Sequence, residues 1–360
     1  MQKNLRFSRK YGKIILYGHY NSIIINKNTK INSPGETKGK TPMSDIRSLQ
    51  DRVTKIIEQT EKVVVGKRAE LVLLLSAMIA GGHVLIEDVP GVGKTTMVAA
   101  ISRAAGLDFH RAQFTPDVMA SDITGFNMYN KATEKFEYRE GLAMCNLLLA
   151  DEINRASPKT QSALLEAMEE GKVSVDGTTY TLPSPFIVIA TQNPSGYVGT
   201  YPLPEAQLDR FSLRLSMGYP TEAEELSIVT GRREGNPLAS VEAVADAASI
   251  KEIMDAAAGI RMDVAICKYI VSLIQATRKN PSISLGASPR ASVALMRLAR
   301  AYAFVNGRDY VLPEDVSAVF LHAVGHRIIL SQEARINRES KTDILRDILS
   351  SVEVPYVTGR

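Results

Sequence analysis

The segment EDVPGVGKTT, residues 87 to 96, gathers two glycines, a lysine and two hydroxyls into one short loop. Gly91 and Gly93 would let backbone N–H groups approach phosphate oxygens, Lys94 has the reach for β and γ phosphates, and Thr95 can ligate Mg²⁺. Pro90, Val92 and Thr96 complete the positions that would surround the phosphates. The strict pattern G-x-x-x-x-G-K-[ST] is broken at its first glycine, where Asp88 stands. The glycines nearest Lys94 are intact, and an apolar run precedes the loop while a helical pattern follows it. That context favours a phosphate site over a glycine turn with an incidental lysine.

A second constellation lies in NLLLADEINR, residues 146 to 155, where an apolar strand empties into Asp151 and Glu152. Asp151 could orient Mg²⁺ and its waters, and Glu152 could take a proton from an attacking water. An Asp-Glu pair at a strand end is common on its own; downstream of a phosphate loop it points to hydrolysis rather than binding alone. Asn193 ends FIVIATQN, at the edge where ligands bind in open α/β sheets, and could position water or sense a γ phosphate; a turn cap before Pro194 is the alternative. Arg210 sits in LPEAQLDRF and Arg290 in GASPRAS, where Ser288 reads as an N-cap and Pro289 as the first helical residue. A cation is unfavourable at a helix N-terminus, so Arg290 suggests an anionic ligand, with a surface Asp or Glu as the bland alternative.

These groups need elements to hold them. Apolar runs at 83–87, 107–114, 145–150, 186–192 and 213–217 read as strands separated by helices, which argues for a parallel sheet covered on both faces. KVSVDGTTYTLP, residues 172–183, reads as a hairpin turning at Asp176-Gly177, and 125–141 as a weaker one. A helix stripe begins near Ser44, and another helix spans about 67–80. Beyond Tyr219 the strand signal stops and helical patterns follow at 221–232, 249–258, 263–278, 289–305 and 313–328. The chain divides into a basic extension (1–42), an α/β core with two hairpin inserts (43–219), an all-helical domain (220–352) and a short tail (353–360).

The net charge of +4 misleads. Residues 1–42 carry nine Lys and Arg against one acid, whereas the remainder has 34 bases and 38 acids, a net of −4. A nucleic-acid reading would therefore rest on the leader alone. That leader lacks a continuous apolar core and reads as a flexible or non-native extension rather than a signal peptide. The longest apolar stretch, residues 71–86, is interrupted by Gly81, Gly82 and His83 and is too short to span a bilayer. Cys145 and Cys267 form no metal or disulfide spacing and read as buried core residues, which suits a reducing, cytoplasmic setting. His322 and His326 stand four apart without a third ligand and read as packed or surface residues.

Taken in order, VVGKRAELVLLLSAMIAGGHVLIEDVPGVGKTT, RAQFTPDVMASDITG, LLLADEINRASPKTQSALLEAMEEGKVSVDG, FIVIATQNP, LPEAQLDRF and GASPRAS resemble the AAA+ ATPases, and more narrowly the MoxR family. The resemblance implies a P-loop NTPase core with a five-stranded parallel sheet and a helical lid, binding ATP or ADP and Mg²⁺. It implies that Lys94 and Thr95 belong to Walker A, Asp151 and Glu152 to Walker B, Asn193 to sensor 1, Arg210 to the arginine finger and Arg290 to sensor 2. Gly66 would lie near the adenine, and 172–183 would be the presensor-1 hairpin. It further implies a homo-oligomeric, hexameric ring acting as a chaperone on a client in a separate chain, often one with a von Willebrand factor A domain. A metal-chelatase motor subunit is the alternative; a DNA-acting AAA+ motor is disfavoured by the acidic core and the single Lys172 in the hairpin, and a scaffold without turnover by the complete Asp151, Glu152 and Asn193 set.

Overall fold

The computed structural model describes residues 13–15, 24–26, 43–192, 200–231 and 237–356. In the basic leader, β1 (Lys13–Ile15) and β2 (Ile24–Asn26) pair antiparallel. Met43–Arg360 forms a separate compact unit.

That unit starts with α1 (Met43–Glu61) and α2 (Arg68–Ile79), followed by β3 (His83–Glu87), α3 (Lys94–Ala105), β4 (Phe109–Gln113) and the short α4 (Ala120–Thr124). A hairpin of β5 (Phe126–Asn130) and β6 (Lys135–Arg139) intervenes before β7 (Leu147–Asp151) and α5 (Pro158–Glu170). A second hairpin, β8 (Lys172–Val175) and β9 (Thr178–Thr181), leads into β10 (Ile187–Gln192), α6 (Glu205–Leu208) and β11 (Phe211–Leu215). The remainder comprises α7 (Glu222–Gly231), α8 (Ala247–Ala258), α9 (Val264–Lys279), β12 (Ile283–Leu285), α10 (Pro289–Val305), α11 (Pro313–Val324), β13 (Ile329–Leu330), α12 (Gln332–Ile336) and α13 (Lys341–Ser351).

The main sheet is five-stranded and parallel, in the order β11-β3-β10-β7-β4. Its strands are apolar on both faces because each face is covered. Val84, Ile86, Leu147, Leu149, Ile187 and Ile189 join one buried cluster; the alternating Leu85, Leu148, Ala150, Val188 and Ala190 join the other. The first cluster continues through α1, α2 and α3 into α8, α9, α10 and α11, so the helical segment shares one hydrophobic core with this face of the sheet. Helix α2 is buried nearly all round, which explains its unpatterned LVLLLSAMI sequence. No helix among the described residues is long and apolar enough to cross a membrane.

Both anticipated hairpins are present, and the Asp176-Gly177 turn closes the second. Three expectations need correction. The last strand lies at 211–215 rather than 213–217, because Phe211, Leu213 and Leu215 alternate inward while pairing with β3. Strands do not cease at Tyr219, since β12 and β13 pair antiparallel within the helical segment. Cys145 is buried, but Cys267 is only half-buried.

Candidate functional site

The strand order brings the phosphate loop, Asp151 and Glu152 to one edge of the sheet. β3 delivers the phosphate loop, β10 lies beside it, and β7 with Asp151 lies beside β10. This is the carboxyl edge, where ligands bind in open α/β sheets. Gly91 and Gly93 take φ of 89° and 90°, a region that glycine enters without a Cβ penalty. A Cβ on either would meet no atom within 4 Å, so that side of the loop is open. Pro90, Gly91 and Gly93 are exposed and Val92 is half-buried, while Lys94, Thr95 and Thr96 open α3, whose N-terminal N–H groups favour an anion.

Lys94 is buried, and its Nζ donates to the Asp88 carbonyl at 2.9 Å. Burial lowers its pKa, and the carboxylates of Asp88, Asp151 and Glu152 oppose that shift. A buried cation beside carboxylates and an open glycine turn suits a polyphosphate carrying a divalent metal. ATP with Mg²⁺ fits the chemistry of the residues present, and Thr95 and Asp151 are the residues that would hold the metal.

Asp151 is held from two sides. Thr191 Oγ1 donates to Oδ1 at 2.6 Å, and Arg111 Nη2 donates to Oδ2 at 2.8 Å. The same Thr191 hydroxyl accepts from the Glu152 backbone N–H at 2.9 Å, so one fully buried side chain aligns both consecutive acids. Glu152 adopts φ of 56°, a strained region for a non-glycine residue. Its Oε2 lies 2.7 Å from Arg155 Nε. Asn193 lies outside the described residues.

Gly66, at φ 72°, packs against Glu224: a Cβ there would lie 1.7 Å from Glu224 Oε1. Neighbouring Lys67 donates to the carbonyls of Met217 and Tyr219.

The two arginines lie elsewhere. Arg210 immediately precedes β11, and Phe211 pairs with His83 at the amino end of β3. The phosphate loop leaves the opposite end of that strand, roughly 13 Å away at the usual rise per residue. Arg210 Nη2 reaches Glu169 Oε2 at 3.0 Å, and its Nη1 donates to the Leu165 carbonyl at 2.6 Å. Arg290 Nη2 donates to the other oxygen of Glu169 at 2.5 Å. Met168, next to Glu169, accepts through its carbonyl from His83 Nε2, which places this cluster at the amino edge. Arg210 and Glu169 also line a groove of about 650 Å³ whose far wall includes Lys172, Ser174 and Thr179 of the hairpin. A carboxylate partner for both arginines is thus what the described residues contain, and the two stand together rather than with Lys94.

His322 and His326 are packed, bonding the carbonyls of Arg214 and Phe211. Sequence reasoning missed Arg111, Thr191, Arg155 and Glu169. Arg111 left a trace as a charge inside a strand-like run, and Arg155 as a cation three residues after Glu152; Thr191 and Glu169 are recognisable only once strands and helices are paired.

Comparison with known proteins agrees with the fold. Residues 83–213 match the ATPase family associated with various cellular activities (AAA), and residues 275–348 match the AAA lid domain. The chain is 51% identical to the uncharacterised protein YeaC of Bacillus subtilis over 84% of its own length and 94% of that protein. It is 38% identical to chaperone MoxR1 of Mycobacterium tuberculosis, over 91% and 87% of the two chains. A crystal structure of a protein from Cytophaga hutchinsonii superposes with a TM-score of 0.81 at 39% identity, covering 87% of this chain and 98% of that one. The chain belongs to the MoxR family of AAA+ ATPases.

Proposed function

We propose that the protein hydrolyses ATP at sites shared between neighbouring protomers of a hexameric ring and uses that turnover, as a chaperone, to remodel a client on a separate chain. The observation that carries this reading is the placement of Lys94, Asp151 and Glu152 at the carboxyl edge of the sheet and of Arg210 and Arg290 at the amino edge. One protomer cannot bring both sets to one nucleotide without crossing its own sheet. A head-to-tail neighbour can, and head-to-tail contacts repeated about a closing rotation give a ring.

In this reading the loop N–H groups and Lys94 hold the phosphates. Thr95 and Asp151 would hold Mg²⁺, which would neutralise phosphate charge. Glu152 accepts the proton of a water that attacks the γ phosphorus as the bond to the β–γ bridging oxygen breaks. Thr191 sets the separation of Asp151 and Glu152 by bonding both. Asn193 orients the attacking water. Arg210 and Arg290 of the adjacent protomer meet charge developing on the transferred phosphoryl group, a contribution of about 10³-fold or more where a finger arginine acts.

The hydrophobic core shared by sheet and helical segment supports movement of each protomer as one body against its neighbour. Such movement would carry the two hairpins against the client, for which a von Willebrand factor A domain is our proposed class. The MoxR1 relative bears the name chaperone, which supports the client-directed role. Two free cysteines support a cytoplasmic location. Phosphate release by purified Glu152→Gln protein is the test. Loss of turnover by about 10² or more with retained ATP binding supports the reading, and release at the parent rate overturns it.

A further inference from the structure

The departure of the phosphate loop from its usual pattern has a structural counterpart. Asp88, where the pattern has glycine, is buried, and its carboxylate is fully engaged. Oδ2 accepts from the backbone N–H of Met217 at 2.6 Å, the N–H of Gly218 at 2.8 Å and the Ser216 hydroxyl at 3.2 Å. Oδ1 accepts from the Val89 N–H at 2.9 Å. Residues 216–218 begin the connector that leaves β11 for the helical segment, so the carboxylate joins two stretches about 130 residues apart. The carbonyl of the same residue receives Lys94 Nζ. Lys67, beside Gly66, grips the connector from the other side through the Met217 and Tyr219 carbonyls.

Glycine at this position would leave three connector donors without an acceptor and the loop entry with only its backbone contacts. A buried carboxylate collecting several donors is among the stronger polar contacts a protein makes. We propose that Asp88 is a positioning residue for hydrolysis, fastening the start of the phosphate loop to the 216–218 connector so that Lys94 is aimed by, and reports to, the segment leading to the helical domain. The proposal rests on the ATPase reading for its effect on turnover, but the mechanical link stands independently of it.

The test compares parent, Asp88→Gly, which restores the strict loop pattern, Asp88→Asn, which keeps the shape but replaces one acceptor oxygen by a donor, and Ser216→Ala, which removes only the longest of the three connector bonds and leaves both backbone donors in place. Steady-state phosphate release at saturating ATP, displacement of a fluorescent ADP analogue, and hydrogen exchange of the 216–219 amides with and without ADP and Mg²⁺ are measured on folded full-length protein. The proposal expects ADP affinity within about threefold of the parent for both Asp88 variants and turnover reduced about tenfold or more. It also expects a nucleotide-dependent change in 216–219 exchange that is present in the parent and in Ser216→Ala but lost in Asp88→Gly. Asp88→Gly with parent turnover, or with an undiminished exchange response, overturns the proposal. If parent and Glu152→Gln release phosphate equally slowly while the exchange response remains dependent on Asp88, the ATPase reading fails and the link survives. If no variant, parent included, shows a nucleotide-dependent exchange change, the link is refuted whatever the turnover.

Discussion

Ser288 donates its hydroxyl to Asp209 Oδ2 at 3.0 Å, and this bond ties the residue before Arg210 to the residue two before Arg290. Ser288 is the N-cap of α10, yet its side chain makes no capping bond there, the position's usual stabilising use. Arg327, almost fully buried, places Nε 3.3 Å from Asp209 Oδ1 and donates through Nη2 to the carbonyls of Asp209 and Phe211. The strap carrying Arg210 and the helix carrying Arg290 are therefore one assembly, with Glu169 bridging the two guanidinium groups.

Removing parts of that assembly should separate stability from activity. Asp209→Ala leaves the Arg327 guanidinium buried without a carboxylate and should cost about 3–5 kcal/mol in urea denaturation. Ser288→Ala removes one neutral donor and should cost about 1 kcal/mol while lowering turnover, because Arg290 loses its register to Arg210. Turnover of folded Ser288→Ala equal to the parent would contradict the coupling.

Arg111 is a cation placed directly on Asp151. Its side chain is about half exposed, so Arg111→Ala should change stability by less than about 1 kcal/mol. Removing a positive charge 2.8 Å from the carboxylate should raise the affinity of Asp151 for a divalent cation. The Mg²⁺ concentration that half-saturates ATP turnover should fall severalfold in this variant; a rise would count against Asp151 as the metal-holding residue.

His326 offers a pH test. Burial and the adjacent Arg327 hold its pKa at about 3, against an ordinary value of 6.5. Its Nε2 bonds the Phe211 carbonyl, and Nδ1 has no hydrogen-bond partner among the described residues, which suits a neutral ring. The unfolded chain binds the proton first, so the stability associated with the neutral ring is complete above pH 6.5 and is lost as pH falls toward 3. The slope attributable to this group approaches about 1.4 kcal/mol per pH unit. Denaturant titrations of parent and His326→Gln between those limits should diverge by this slope, and parallel curves would exclude the assignment.

The hairpins should act as one unit. Tyr138 of β6 stacks on Tyr180 of β9, with ring centroids 3.8 Å apart and planes at 10°, and Asn127 donates to Asp176 at 2.8 Å. Beyond the stack, Tyr129 and Phe136 meet edge-on and are exposed. A double-mutant cycle on Tyr138 and Tyr180 should give a coupling of about 0.5–1.5 kcal/mol. Basal ATP turnover should be little changed by Phe136→Ala, since that side chain is 73% exposed.

Much of this was legible in the residues. Glycine spacing, an apolar strand ending in Asp151-Glu152 and the Asp-Gly turn are local signals, and each stands where expected. What escaped was set by contacts distant in sequence. Asp88 looked like a flaw in a motif until residues 216–218 supplied its donors, and Glu169 looked like one acid among several on α5 until two arginines met on it. The β12–β13 pair is only a few residues wide and is embedded between helices, so no period of two could announce it.

If each active site is built from two protomers, mixing two inactive variants restores turnover. Lys94→Ala and Arg210→Ala proteins should each release little phosphate alone. Mixed in equal amounts and allowed to reassemble, they should recover activity at about one interface in four, where an intact phosphate loop meets an intact arginine in a head-to-tail ring. A mixture that assembles normally yet releases no more phosphate than its two components separately would show that Arg210 does not complete a neighbour's site.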